Sequence, residues 1–198
     1  MKKILCLGLL LLLLLPASGL AGGVIPNLRE APSDTPAPAV FSFRSGIRWN
    51  MSRELVRALE QSMELTERNQ DGWSVLFPLA PVEVSKFTAD LVYMFYNDRL
   101  KMISYDFGAG KTAEDYRYLT GALDSVYGEH TEPGPEAIIG VMDQIYPGYY
   151  QAGSLLNRRG WTAGEDTLIY LYYYTDSAFA ILYVNAGGAP VAYQTNGL

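Results

Sequence analysis

Three stretches of the chain hold residue types that could do chemistry. Residues 107–112 read Phe-Gly-Ala-Gly-Lys-Thr and end like a phosphate-binding loop, where glycine N–H groups cradle phosphates and a lysine reaches the terminal ones. The full pattern needs glycine at 105, where this chain has Tyr105, and a parallel βαβ setting that the neighbouring hairpin pattern does not offer. Gly108 and Gly110 therefore read as turn residues and Thr112 as a helix cap. Asp106-Phe107-Gly108 matches a kinase tripeptide with no other kinase element around it.

His130 is the single histidine, set between Glu129 and Glu132. A metal site needs further ligands at defined spacing, and a serine triad needs a nucleophile on a sharp turn, for which no Gly-x-Ser-x-Gly is present. The segment reads as a solvated loop. Glycoside hydrolysis needs two carboxylates ~5 to 9.5 Å apart. Asp90, Asp106, Asp143, Glu136 and Glu165 are available, but spacing brings no two of them together, and ordinary surface acids are the simpler reading. The sequence thus assigns no catalytic residue, no metal ligand and no cofactor. The 15 tyrosines offer a different chemistry, rings with polar tips. Tyr170, Tyr172 and Tyr174, with Trp161, are the candidate binding residues if they form an exposed row meeting glycan or protein. Packed inside, each would instead stabilise by about 1.5–3 kcal/mol.

These residues need elements to hold them. Segment 167–185, TLIYLYYYTDSAFAILYVN, is two β-branched and aromatic runs around Thr175-Asp176-Ser177, the pattern of a hairpin. A three-residue turn there puts Ile169, Leu171, Tyr173, Phe179, Ile181 and Tyr183 on one face; both faces are apolar in any register, so each needs cover or a partner. A second hairpin is expected over 89–107 with a three-residue turn at Asn97-Asp98-Arg99, which sets Asp90 opposite Asp106. Ser52 caps a first helix whose stripe is Leu55, Val56, Leu59 and Met63, fading at 69–72. Thr112, with Asp115 one turn on, caps a second, whose stripe runs Tyr116, Leu119, Leu123, Val126 and Tyr127, and Gly128 ends it. Pro135 opens a short third helix through 145. Residues 41–44 alternate like a short strand, 73–77 read as extended, with Pro78 and Pro81 confining a strand to an edge or bulge, and 149–166 read as irregular with Trp161 as anchor. Two units of helix followed by hairpin are visible, and their sequences do not align as a repeat.

At 198 residues the chain suits one domain with appendages, a body large enough to bury roughly 70% of its unfolded surface. Lys2 and Lys3 precede an apolar run over 4–15, and Gly19 and Ala21 follow, so residues 1–21 read as a secretory signal, its core shorter than the ~20 residues of a spanning helix. Its removal takes the net charge from −6 to −8, since two lysines and no acids leave. The sole cysteine, Cys6, leaves with it, so stability must come from packing. Such an acidic surface repels nucleic acid and anionic lipid. Residues 22–40 carry four prolines and read as a semi-rigid linker; 41–186 is the domain and 187–198 a frayed tail.

Gly46-Ile47-Arg48-Trp49-Asn50-Met51-Ser52, followed by Leu55-Val56, resembles the helix start of secreted proteins of the β-lactamase-inhibitor-protein-like group, which includes an outer-membrane assembly lipoprotein. Asn50 stands where that group usually has glycine. Segments 91–107, 116–128 and 161–185 are similar to uncharacterised secreted bacterial proteins of this plan. The resemblance implies helices against an antiparallel sheet and a role in protein contacts, and carries no catalytic residue across. The expectation is an α+β domain, two or three helices on one face of an antiparallel sheet of four to six strands. It is expected to act outside the cytoplasm as a non-catalytic binding or interaction module, its partner a protein or glycan of the cell envelope, with no membrane span after signal cleavage. The rival is a carboxylate-based envelope hydrolase acting on glycan.

Overall fold

The structure, a computed structural model, describes residues 42–70, 72–143, 155–174 and 178–188. The expected signal (1–21), linker (22–40), most of the tail and the turn at 175–177 lie outside the described residues. Among the described residues three helices, α1 (Arg53–Leu59), α2 (Ala113–Tyr127) and α3 (Pro135–Met142), accompany eight strands: β1 (Leu65–Gln70), β2 (Trp73–Pro78), β3 (Val82–Val84), β4 (Phe87–Tyr96), β5 (Arg99–Asp106), β6 (Leu155–Ala163), β7 (Thr167–Tyr174) and β8 (Phe179–Asn185). All pairings are antiparallel, in the order β1-β2-β4-β5-β8-β7-β6, with β3 beside β4. The fold is α+β as expected, with more strands than four to six.

Three strands were not expected: the short β3, which pairs with β4, and two longer ones from stretches whose polar residues hide strand character. Residues 65–70 were expected as the end of the first helix; instead α1 stops at Leu59 and they pair in full with β2. The stripe meant to extend the helix is not buried: Leu55 and Leu59 are 45% and 37% exposed, and only Val56 is in the core. Residues 155–163, expected as irregular chain, are β6, held by pairing with β7. β1 takes the edge, so β2 is interior, and its proline is tolerated as the strand's last residue. Residues 44–46 form a 3-10 turn in place of the expected strand. α3 ends at Met142, before the expected 145.

The helices also divide between the two faces of the sheet instead of sharing one. Alternation places Ile103, Ile181 and Leu171 toward α1 and α2, and Met102, Leu182 and Tyr172 toward α3. Two apolar faces on the central strands demand cover on both sides. α2 keeps the expected cap, with Asp115 N–H donating to Thr112 Oγ1 at 3.2 Å and Thr112 N–H to Asp115 Oδ2 at 3.1 Å. Tyr116, Leu119 and Leu123 are buried, whereas Val126, expected on the same stripe, is 69% exposed.

The β4–β5 turn is two residues, Asn97-Asp98, both at positive φ (50° and 57°), as a type I′ hairpin requires. The third residue expected in the turn appears as a bulge: the register shifts after Met94, leaving Lys101 without a partner. Pairing beyond it is therefore the one expected of the longer turn, with Tyr93 opposite Ile103 and Asp90 opposite Asp106. In the β7–β8 hairpin Tyr173 pairs with Phe179, the register of a three-residue connection.

The pairing relates the two halves of the chain topologically. The last strands of each, β5 and β8, meet at the centre, with Tyr105 opposite Ile181 and Ile103 opposite Tyr183, so Ile103-Ser104-Tyr105 and Ile181-Leu182-Tyr183 are counterparts. β4 then corresponds to β7 and β2 to β6, since Leu76 faces Tyr93 as Arg159 faces Leu171. Outside β2, Thr66 and Glu67 face Phe77 and Leu76; outside β6, Thr131 bridges Gly160, the residue after Arg159, and Glu132 follows. Counted from their caps Ser52 and Thr112, α1 and α2 share Glu54/Glu114, Arg57/Arg117 and Leu59/Leu119. The structure thus supplies the correspondence that the linear sequences do not.

Candidate ligand-binding cleft

A cleft of about 650 Å³ opens between α2 and strands β6 and β7, within the size range of small-molecule sites. The helix lines it with Ala113, Tyr116, Arg117, Thr120 and Asp124, β6 with Asn157 and Arg159, and β7 with Tyr173. His130, on the segment after α2, completes the wall. The two halves differ where the cleft opens. In the first half Arg53 reaches from the start of α1 to Glu67 Oε1 at 2.5 Å and Ser74 Oγ at 3.2 Å, filling the space between helix and sheet. Its counterpart is Ala113, too short to do so.

Several lining groups are fixed. Tyr116 donates to the Leu171 carbonyl at 3.3 Å, Tyr173 to the Lys111 carbonyl at 3.0 Å, and Thr120 to the Tyr116 carbonyl at 3.0 Å. Burial pushes the Tyr116 phenol well above its usual range, so it stays neutral. Asp124 is the hub: its Oδ1 lies 2.9 Å from His130 Nδ1 and accepts from the Trp161 indole at 3.0 Å. Burial raises this carboxyl, and the hydrogen bonds with His130 and Trp161 outweigh it and hold the group below the usual carboxylate value. His130 is therefore half-buried and oriented, not the solvated loop residue expected.

Other groups are uncommitted. Arg117, the Asn157 amide and His130 Nε2 have no hydrogen-bond or ion-pair partner among the described residues. Arg159 donates from Nη1 to the Arg158 carbonyl at 2.8 Å and pairs with Glu132 at 3.0 Å, while its buried Nε has no partner. With two guanidiniums against Asp124, the lining of this cleft is net positive at neutral pH in a chain of charge −6.

The tyrosine row expected as a binding platform is core. Tyr170 is 7% exposed, Tyr172 0% and Trp161 4%. Tyr170 and Tyr172 pack with Ile138, Val141 and Met142 of α3, and the side chain of Tyr174 lies outside the described residues. α3 covers the face that sequence reading left open. Trp161 does not line the cleft and touches it through its bond to Asp124 and its ring contact with His130. Arg117, Arg159 and Asn157 were missed; the signal for Arg117 was its offset from Thr112, the same as that of Arg57 from Ser52. None of the five acids considered for hydrolysis lines this cleft, and among the described residues no group of three or more potential ligands could hold a metal ion. In the glycine-lysine segment, Gly108 and Gly110 have positive φ (66° and 80°) and Gly108 N–H donates to Asp106 Oδ1 at 2.9 Å, a turn into α2.

A second cavity, about 520 Å³, lies where the halves meet and is lined in part by Tyr105 and Tyr183, their rings 6.2 Å apart. Burial pushes both phenols up, and its one arginine, Arg44, is engaged by Glu60 at 3.0 Å, so the α2–β6 cleft is the better candidate. Comparison with protein-family models, with curated proteins and with solved structures finds no match for this chain.

Proposed function

We propose that the chain is an exported, non-catalytic binding module whose ligand, a component of the cell envelope, seats between α2 and β6. The observation that carries this reading is the combination of tethered walls with uncommitted polar groups, Arg117, Asn157 and His130 Nε2, around one open volume. Such preorganisation lowers the ordering cost of binding. Export is supported by the composition of residues 1–21 and 22–40. Turnover fits less well. The Asp124–His130 pair could orient a base, but the hydroxyl lining the cleft beside it, Thr120, already donates to a carbonyl. Paired-carboxylate hydrolysis needs two acids, and the lining has Asp124 alone.

The test is capture of envelope components by the tagged mature domain, run beside its Ala113→Arg variant, which refills the cleft as Arg53 does in the first half. Capture lost in the variant supports the reading. Turnover of a glycoside or ester substrate that His130→Ala abolishes would replace it with the hydrolase.

A further inference from the structure

We infer that the cleft between α2 and β6 recognises a monoanionic carboxylate carried on a flat or apolar body, with Arg117 as the residue that pairs with it; this rests on the binding-module reading and names its ligand chemistry. The first half of the molecule shows the arrangement completed from within. There Arg57 donates from Nη2 to Glu67 Oε2 at 2.7 Å and from Nη1 to the Leu65 carbonyl at 3.0 Å, so a carboxylate on the neighbouring strand neutralises the helix arginine.

In the second half the strand that would supply that carboxylate is cut to a single bridge. Thr131 pairs with Gly160 through bonds of 2.8 and 3.0 Å, and Pro133-Gly134-Pro135 then turns the chain into α3. The acid equivalent to Glu67, Glu132, is drawn instead to Arg159, which stands where the first half has the buried Leu76. Arg117 is left with no partner among the described residues. A guanidinium fork is suited to a planar carboxylate, and the Asn157 amide lines the same volume and can donate to it, while His130, whose Nδ1 gives its proton to the Asp124 carboxylate, presents Nε2 as an acceptor for a polar group on the ligand body. Arg159 already has Glu132, so Arg117 is the one guanidinium of the lining without a carboxylate partner among the described residues, which matches a single negative charge better than a dianionic phosphate. Tyr116 and Tyr173 present ring surface to the rest of the ligand.

The experiment is an NMR titration of the mature domain with benzoate, with benzylamine as the ring of opposite charge and phenyl phosphate as the dianion. Benzoate is expected to bind saturably with Kd on the order of millimolar, shifting signals of Arg117, His130 and Asn157, and benzylamine is expected not to bind. Arg117→Gln should weaken benzoate about tenfold or more. Ala113→Arg should abolish binding by filling the cleft, even though it adds positive charge, which separates a shaped site from general attraction. Benzoate binding no better than benzylamine, phenyl phosphate binding more tightly than benzoate, or unchanged benzoate affinity in Ala113→Arg would each overturn the inference. Benzoate failing while Ala113→Arg still abolishes envelope capture would overturn the carboxylate assignment and leave the binding-module reading standing.

Discussion

The phenol of Tyr93 donates to Oε1 of Glu60 at 2.5 Å, although the two are 33 residues apart and the carboxylate is only 1% exposed. Glu60 is the C-cap of α1, and turning its side chain inward ends the helix and starts the reversal into β1. Arg44 Nε reaches the same oxygen at 3.0 Å from a side chain 35% exposed. Burial first, and then the bond to Glu60, pushes the Tyr93 phenol far above its ordinary value, so it remains a donor at any ordinary pH. Tyr93→Phe should cost about 1–3 kcal/mol, because a buried carboxylate loses a donor that water cannot replace. Glu60→Gln, which keeps an oxygen for Tyr93 and releases an Arg44 that water can rehydrate, should cost less. Urea denaturation of the two variants checks the order; no loss in Tyr93→Phe would mean that the phenol hydroxyl contributes nothing beyond its ring.

Acid should weaken both the β1 edge and the tip of the β4–β5 hairpin. The hydrogen bond from Arg57, more than any other contact, holds the Glu67 carboxyl below its usual value against the opposing effect of burial, and Arg53 does the same for Asp98 through its side chain and its backbone N–H. A carboxyl whose folded pKa is depressed contributes stability that is fully present above its unfolded pKa, about 4, and is lost as pH falls through the folded value. Stability should therefore hold from neutral pH to roughly pH 5 and decline below roughly pH 4. In Glu67→Gln the decline should be shallower, as followed by thermal melts across that range. Asp98, half exposed, should lose its share in high salt before Glu67 does.

The legible parts of the fold were those where one physical signal acted alone. The capping box of α2 was readable because Thr112 and Asp115 satisfy each other locally, and the β7–β8 hairpin because both faces of both strands are apolar. β1 and β6 were not readable as strands. Their residues, among them Thr66, Glu67, Arg158 and Arg159, are polar because they ladder onto a neighbour while their side chains bridge to helices or loops, as Arg158 does to the Pro133 carbonyl at 2.9 Å. The cleft was hidden for a related reason. Its marks are that Ala113 is short and that Arg117 lacks a partner among the described residues, and both facts have meaning only against Arg53 and Arg57 in the other half. The tyrosine platform failed because nothing local in Tyr170 or Tyr172 indicates that α3 lies over them.

Asp124 should matter more to stability than His130. The carboxylate serves both His130 Nδ1 and the buried Trp161 indole, which also donates to the Gly128 carbonyl at 3.1 Å. Asp124→Ala removes the shared acceptor and should cost about 1–3 kcal/mol, with a shift in Trp161 emission as the indole loses a charged neighbour. His130→Ala removes one half-buried contact and should cost under about 1 kcal/mol. A double-mutant cycle checks the shared role: with Asp124 already alanine, the further loss from His130→Ala should nearly vanish.

The Asn97-Asp98 turn gives a prediction in which the better turn residue is the worse choice. Both residues sit at positive φ, and glycine at the second position is the usual preference of such a turn. Yet Asp98 Oδ1 accepts from Arg53 Nε at 2.8 Å and from its backbone N–H at 3.2 Å, tying the hairpin tip to the first turn of α1. Asp98→Gly relieves the backbone and cuts that tie, so in the wild-type background it should be neutral or destabilising. With Arg53→Ala the side-chain bond is already gone, and the same Asp98→Gly change should then stabilise by about 0.5 kcal/mol through the turn. The reversal of sign between backgrounds, read from denaturation midpoints, is the signature expected of the Arg53–Asp98 bond. Stabilisation by Asp98→Gly in both backgrounds would show that the turn strain outweighs the bond.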